Sequence, residues 1–170
     1  MGRYATGDVA AFDALYRRHE SRIWRYLRRN LRDRATAEEV LQEVWFAVAR
    51  DAGRYQPSAR FTTWLFTIAH HRMIDWIRVN RRQPSVEGLG EQPDSGGGPL
   101  AAAVAGDPAA ALIQAIEALP PDQRESFLLQ VEGGLSVEAI AAITSSSFET
   151  TKSRLRYART KLRESLKEYI

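Results

Sequence analysis

Few residues in this chain are arranged for covalent chemistry. It has no cysteine, which removes thiolate nucleophiles, disulfides and thiolate zinc sites together. His70-His71 with Asp75 offers a single His-x3-Asp pair, and one pair among cations does not make a metal site. Asp94-Ser95-Gly96-Gly97 has the composition of a serine-nucleophile loop, but it lies in a Gly/Pro-rich stretch with no base held near it. The hydroxyls from Ser145 to Thr151 are accounted for by turn and capping chemistry. No catalytic constellation, metal site or cofactor is expected, so the chain is not read as an enzyme.

Recognition is what these residue types support. From Phe148 to Arg163 there are six Arg/Lys and one Glu. Lys152, Ser153 and Arg156 fall near the start of that helix, the end that meets base edges when a helix enters the major groove. A solvated basic helix end favoured by the macrodipole is the plainer alternative. A second group interleaves cations with aromatics: Arg54-Tyr55, then Arg60-Phe61-Thr62-Thr63-Trp64. Downstream, His71, Asp75, Arg78 and Arg82 share a helix face, with Arg81 beside them. Such a surface can stack an unpaired base while holding its phosphates; equally, Phe61 and Trp64 can be core. A third group is acidic: Glu38, Glu39, Gln42 and Glu43. A carboxylate patch on a basic domain repels DNA and fits a basic protein surface, although dipole compensation explains its first turn.

The chain that must position these groups has 170 residues, 44% hydrophobic and 26% charged, an ordinary soluble composition. No apolar run reaches the roughly 18 residues of a membrane span, and no leader pattern opens the chain, so a cytoplasmic protein without membrane insertion is expected. The net charge of +3 is unevenly spread. Residues 1–82 carry a net +7, residues 83–123 a net −6, and residues 124–170 a net +2. Basic ends around an acidic middle indicate two nucleic-acid-facing modules joined by a segment that avoids phosphate. Arginine outnumbers lysine 21 to 3, which suits phosphate and guanine contacts.

Pro84 to Gly106, rich in Gly, Pro and Ala, reads as a flexible linker. Before it, Val9, Phe12, Leu15 and Tyr16, then Ile23, Tyr26, Leu27 and Leu31, recur at helical spacing. Thr36 and Glu39 form the pattern of a capping box, followed by Val40, Leu41, Val44, Trp45 and Val48 on one stripe. Gly53 and Pro57 bracket a loop, and a long helix is expected from about Phe61 to Arg82. After the linker, Asp107-Pro108 opens a helix that Pro120-Pro121 breaks, and the next stops at Gly133-Gly134. Ser136 caps a short helix, and Ser146 with Glu149 offers a box for the last one. Its inner stripe is expected to hold Phe148, Thr151, Leu155, Ala158, Leu162 and Leu166. No period-two stretch is present. The fold class is all-α, and its last two helices form a helix-turn-helix.

Three of these motifs resemble, in order, the sigma factors of bacterial RNA polymerase. Ala37-Glu38-Glu39-Val40-Leu41-Gln42-Glu43-Val44-Trp45 is similar to their polymerase-binding helix. The run from Phe61 to Ala69, with Asp75 and Arg78, resembles their promoter-melting segment. Gly134 to Ala141 and Thr151 to Arg159 resemble their C-terminal helix-turn-helix. Two domains and a short linker are the pattern of the extracytoplasmic-function (ECF) group. The resemblance implies region 2 over 1–83, a linker over 84–106 and region 4 over 107–170.

It also implies roles. Glu38, Glu39, Gln42 and Glu43 would dock on the clamp helices of the polymerase's largest subunit, and region 4 on its flap. Arg54, Tyr55, Arg60, Phe61, Thr62, Thr63, Trp64, His71, Arg78, Arg81 and Arg82 would capture and melt the −10 element. Ser147, Lys152, Ser153, Arg156, Tyr157 and Arg159 would read the −35 element. An anti-sigma factor is the implied regulator, and the acidic linker fits a route through the polymerase's cationic cleft. The 24 residues from Pro84 to Asp107 span about 27 Å as a random coil and at most near 80 Å. Promoter elements one to two turns apart need roughly 35–70 Å, so polymerase would hold the linker stretched. The chain departs from the family at Ser145 and Glu149, where glycine is frequent, at Ala139 for glutamate and at His71 for asparagine. A left-handed Ser145 would cost about 1–2 kcal/mol. The expected function is promoter-specific initiation with core polymerase; the alternative is a stand-alone helix-turn-helix regulator.

Overall fold

The apolar spacing near the start belongs to one helix rather than two. After a single turn, α1 (Gly2–Ala5), helix α2 runs unbroken over Val9–Leu31. The polar stretch from Arg17 to Arg22 hides the periodicity, but it contains neither glycine nor proline to stop a helix. Asp8 caps α2 by accepting from the Ala11 amide at 3.1 Å. Arg32, left-handed at φ 64°, ends it. The computed structural model describes residues 1–82 and 107–169, apart from 57 and 59. The expected linker and Pro57 therefore lie outside the described residues.

Helix α3 covers Arg34–Arg50, and its cap is Asp33 instead of Thr36. Asp33 accepts from the Thr36 amide at 2.7 Å, so the helix starts a turn earlier and the Thr36–Glu39 box does not form. A 3-10 turn, Ala52–Arg54, holds Gly53. Helix α4 then spans Phe61–Arg82, the range expected. Val40, Val44 and Val48 of α3 are fully buried with Leu65, Phe66 and Ala69 of α4 and with Ile23 and Leu27 of α2.

The second half consists of α5 (Pro108–Glu117), α6 (Pro121–Val131), α7 (Val137–Ile143) and α8 (Phe148–Ser165). Asp107 and Ser136 cap α5 and α7 as expected, accepting from Ala109 at 2.9 Å and Ala139 at 3.2 Å. Gly133 allows the chain to turn tightly off the end of α6, since a Cβ there would lie 2.5 Å from the Leu129 carbonyl oxygen and 2.9 Å from the Leu135 side chain. Ser145 takes the left-handed conformation at φ 50°. The α8 cap is Ser147, which accepts from Thr150 at 3.1 Å. Ser146 instead spends its hydroxyl on Thr144 and Thr151, at 2.9 and 2.8 Å, and this bridge locks the turn. Thr151, Leu155, Ala158 and Leu162 form the inner stripe of α8. Phe148 is 42% exposed, because the first residue of the helix overhangs the core, and Leu166 lies just past the helix end.

The halves are not independent bodies. Leu128, Leu129, Leu135, Ile140 and Ile143 join one apolar cluster with Tyr26, Phe66 and Met73. Helix α2 touches α5 and α6, and α4 touches α7. Relieving the strained turn tests the helix-turn-helix geometry. Ser145→Gly should raise stability by about 0.5–1 kcal/mol in urea unfolding, the left-handed cost less the extra chain entropy.

Candidate nucleic-acid and protein interfaces

Three surfaces carry the residues that the sequence marks, each set on a helix with a buried back. On α3, alternation of buried Val40, Val44 and Val48 with outward positions leaves Glu38, Glu39, Gln42 and Glu43 exposed on the outer side. Glu38 pairs with Arg34 at 2.9 Å along the helix. Among the described residues, Glu39 and Glu43 form no ion pair, so their charge faces outward unneutralised. Beside them opens an apolar cavity of about 320 Å³ lined by Phe12, Tyr16, Leu41, Gln42, Trp45, Phe46 and Ala49. Phe46 is 74% exposed. The motifs did not point to it; an aromatic off the buried stripe of an amphipathic helix was the available signal. Acidic and apolar groups thus lie side by side on one outward face of α3.

The second surface is aromatic. Tyr55 lies edge-on to Phe61 and Trp64, at centroid distances of 5.9 and 5.4 Å, and Phe61 and Trp64 are 5.9 Å apart. All three are half-buried, and Phe61 and Trp64 pack partly against the core while keeping part of their rings open. Behind Phe61 stands His19 of α2, at 5.2 Å. Arg54 and Arg60 are exposed at the rim, Arg54 within 3.8 Å of Asp51. Thr62 and Thr63 are half-buried in the first turn of α4, and Thr67 donates to the Thr63 carbonyl at 2.7 Å. Further along, His71 is exposed and Arg78 is bound to Asp75, while Arg81 and Arg82 close the helix. The expected face thus divides: the aromatic end is open and the Asp75–Arg78 pair partly neutralises the other.

The third surface is the outer side of α8. Lys152 and Arg156 are exposed and Ser153 is half-buried. Arg156 lies 5.0 Å over the Tyr157 ring, which orients its guanidinium without neutralising it. Ser147 is exposed as the helix cap. Arg159 is held by Gln130 of α6, and Arg154 by Asp122 at 2.6 Å. These two fasten α8 to α6, leaving Lys152 and Arg156 as the free cations nearest the helix start. Among the described residues no three His, Asp or Glu side chains gather as metal ligands, and no helix is long and apolar enough to cross a membrane.

Comparison with known proteins gives the same order of parts. The model of sigma-70 region 2 matches residues 15–83, and that of sigma-70 region 4 matches residues 109–162. The chain is 35% identical to the RNA polymerase sigma factor CarQ of Myxococcus xanthus, over 99% of this chain and 96% of the relative. It is 32% identical to the ECF RNA polymerase sigma factor SigK of Mycobacterium tuberculosis, over 98% of this chain and 91% of that one. Among solved structures, the sigma factor RpoE of Bartonella quintana with the anti-sigma factor NepR has a TM-score of 0.72 at 24% identity, covering 94% of this chain and 98% of that chain. CnrH with the cytosolic domain of CnrY has a TM-score of 0.67 at 23% identity, covering 98% and 94%. At those identities the structures share the fold.

His19 carries a testable charge effect. Burial, then Arg22 and Arg18, hold its imidazole below the ordinary value. As pH falls through about 6.5, the unfolded chain takes up this proton before the folded one does, so stability is lost. His19→Phe should flatten that part of the stability profile between about pH 7 and pH 5, measured by urea midpoints.

Proposed function

The chain belongs to the extracytoplasmic-function sigma factors, and on that premise we propose how its three surfaces divide the work of promoter-specific initiation. As a sigma factor it directs RNA polymerase to promoters. In this reading residues 1–83 bind core polymerase and melt the −10 element, residues 84–106 link the halves, and residues 107–170 read the −35 element. Glu39, Gln42 and Glu43 with Phe46 dock on a basic, partly apolar surface of the polymerase clamp. Tyr55, Phe61 and Trp64 take unpaired bases, with Arg54, Arg60 and the cations of α4 on the phosphates. Lys152, Ser153 and Arg156 enter the major groove at the start of α8, and backbone contacts from Ser147, Tyr157 and Arg159 set its register.

The observation that carries the reading is the outward acidic–apolar face of α3. A basic helix-turn-helix alone fits a stand-alone regulator equally well. Unpaired carboxylates on a domain of net charge +7 favour a protein partner over phosphate. No catalytic step of its own enters this reading, which places the protein's work in the cytoplasm beside polymerase. An anti-sigma partner is the natural regulator, since the relatives RpoE and CnrH were each solved in a complex, RpoE with an anti-sigma factor.

Two sets of variants test the division. Glu39→Lys with Glu43→Lys should abolish co-elution with core polymerase while the circular dichroism spectrum stays unchanged; undiminished co-elution overturns the α3 assignment. Lys152→Ala and Arg156→Ala should each weaken promoter binding by about 1–3 kcal/mol for every base edge the side chain reads, and should relax −35 selection.

A further inference from the structure

The turn before α8 engages its own hydroxyls. Ser146 is bonded to Thr144 and Thr151, at 2.9 and 2.8 Å, and Thr151 donates to the Ser147 carbonyl at 3.0 Å. Ser147 accepts from the Thr150 amide at 3.1 Å and donates to the Thr150 hydroxyl at 2.8 Å. These bonds fix the start of α8 to the turn. Two side chains at that edge remain uncommitted. Phe148 is 42% exposed and stands outside the apolar clusters. Glu149 is exposed and, among the described residues, forms no ion pair. Each alone has a plain explanation: a single exposed phenylalanine is ordinary, and a first-turn carboxylate suits the helix dipole. Their place sets them apart. They are the first two residues of α8, where side chains lean toward the N-terminal end, the end that meets base edges. Glu149 also lies three residues from Lys152 and seven from Arg156, on the same outward face, where an idle carboxylate would only repel phosphate.

We propose that Phe148 and Glu149 are specificity-determining residues, a reading pair at the leading edge of α8 that selects a thymine and an adjoining cytosine in the upstream element. The major groove gives each a use. A phenyl ring packs on the thymine methyl group, and a carboxylate accepts from the cytosine amino group. Successive residues advance about 1.5 Å along a helix, and base pairs about 3.4 Å along the duplex. Two neighbouring side chains therefore reach neighbouring pairs. The fixed turn behind them holds both in one register, which a base preference requires. Their base-reading role rests on α8 as the −35 helix, whereas their lack of partners within the protein does not.

Selection by the holoenzyme, core polymerase with the full chain, from a duplex library randomised across both elements tests the pair. The unmodified chain should enrich an upstream cluster that contains thymine beside cytosine. Phe148→Ala should lose the thymine preference alone and Glu149→Ala the cytosine preference alone, with the downstream cluster unchanged. Glu164→Ala, the same charge change at an exposed position near the far end of α8, should raise affinity without altering preference. Two base analogues probe the unmodified chain, so their result does not depend on how a variant folds. On the selected duplex, uracil in place of that thymine removes only the methyl group and should weaken binding about 4-fold, the effect of returning one carbon to water. Pyrimidinone, which is cytosine without its amino group, should weaken binding about 5-fold or more at the other position. Phe148→Ala should be indifferent to the first analogue and Glu149→Ala to the second. A preference that survives its substitution, or an analogue without effect, overturns the role of that residue. Reduced co-elution of Phe148→Ala with core polymerase, with the preferences intact, makes Phe148 a protein contact and overturns its base role. No enriched upstream cluster with the unmodified chain overturns the reading of α8 itself, and the pair with it.

Discussion

A carboxylate withdrawn from water must be paired, and that constraint organises this protein around Glu125. Removing a carboxylate from solvent costs several kcal/mol in effect, which only well-placed partners offset. Glu125 finds them on two helices of the opposite half, Tyr26 on α2 and His70 on α4. Burial and the Glu125 charge push the Tyr26 phenol well above its ordinary range, so it stays protonated as a donor. Once that contact is fixed, Leu128 and Leu129, three and four residues on, face the same junction, and Arg124 is turned into the backbone carbonyls at its edge. The register of α6 against α2 follows from one residue.

The abundance of arginine divides along the same line. Arg25, Arg29, Arg124 and Arg154 have carboxylate or carbonyl partners and serve as scaffold. Lys152 and Arg156 stay exposed on α8, and Arg60 at the aromatic platform. Guanidinium suits both uses, since its planar fork pairs with carboxylates in the interior and with phosphate or guanine outside. Composition therefore counted the cations without distinguishing the two populations. The regional charge, positive at both ends and negative between, also places Glu117 and Asp122, both on the acidic side of the boundary, against arginines of α2 and α8.

Most of the local structure was legible in the sequence because it is set by short-range rules. The Asp107 and Ser136 caps, the bounds of α4 and the Thr151 to Leu162 part of the α8 stripe each depend on a few neighbouring residues, whereas Ser145 stood out only through the family resemblance. Where two capping choices compete, the pattern alone picked the wrong one. Asp33 took the place of Thr36, and Ser147 that of Ser146, whose hydroxyl is drawn to Thr144 and Thr151 instead. The motifs marked the three surfaces, but Phe46 and the backing of Phe61 by His19 come from packing that no window of sequence displays. The junction was the least legible part. Tyr26 and Glu125 are 99 positions apart, and a partly buried carboxylate looks in sequence like any solvated one.

One chain, on this account, reads two DNA elements on behalf of polymerase. The most direct test is initiation from a randomised promoter library by purified core polymerase with and without this protein, followed by sequencing of the transcribed templates. Protein-dependent transcripts are predicted whose templates share two enriched clusters, separated by between one and two turns of duplex. Transcripts no more abundant than with core alone, or enrichment at a single cluster only, would contradict it.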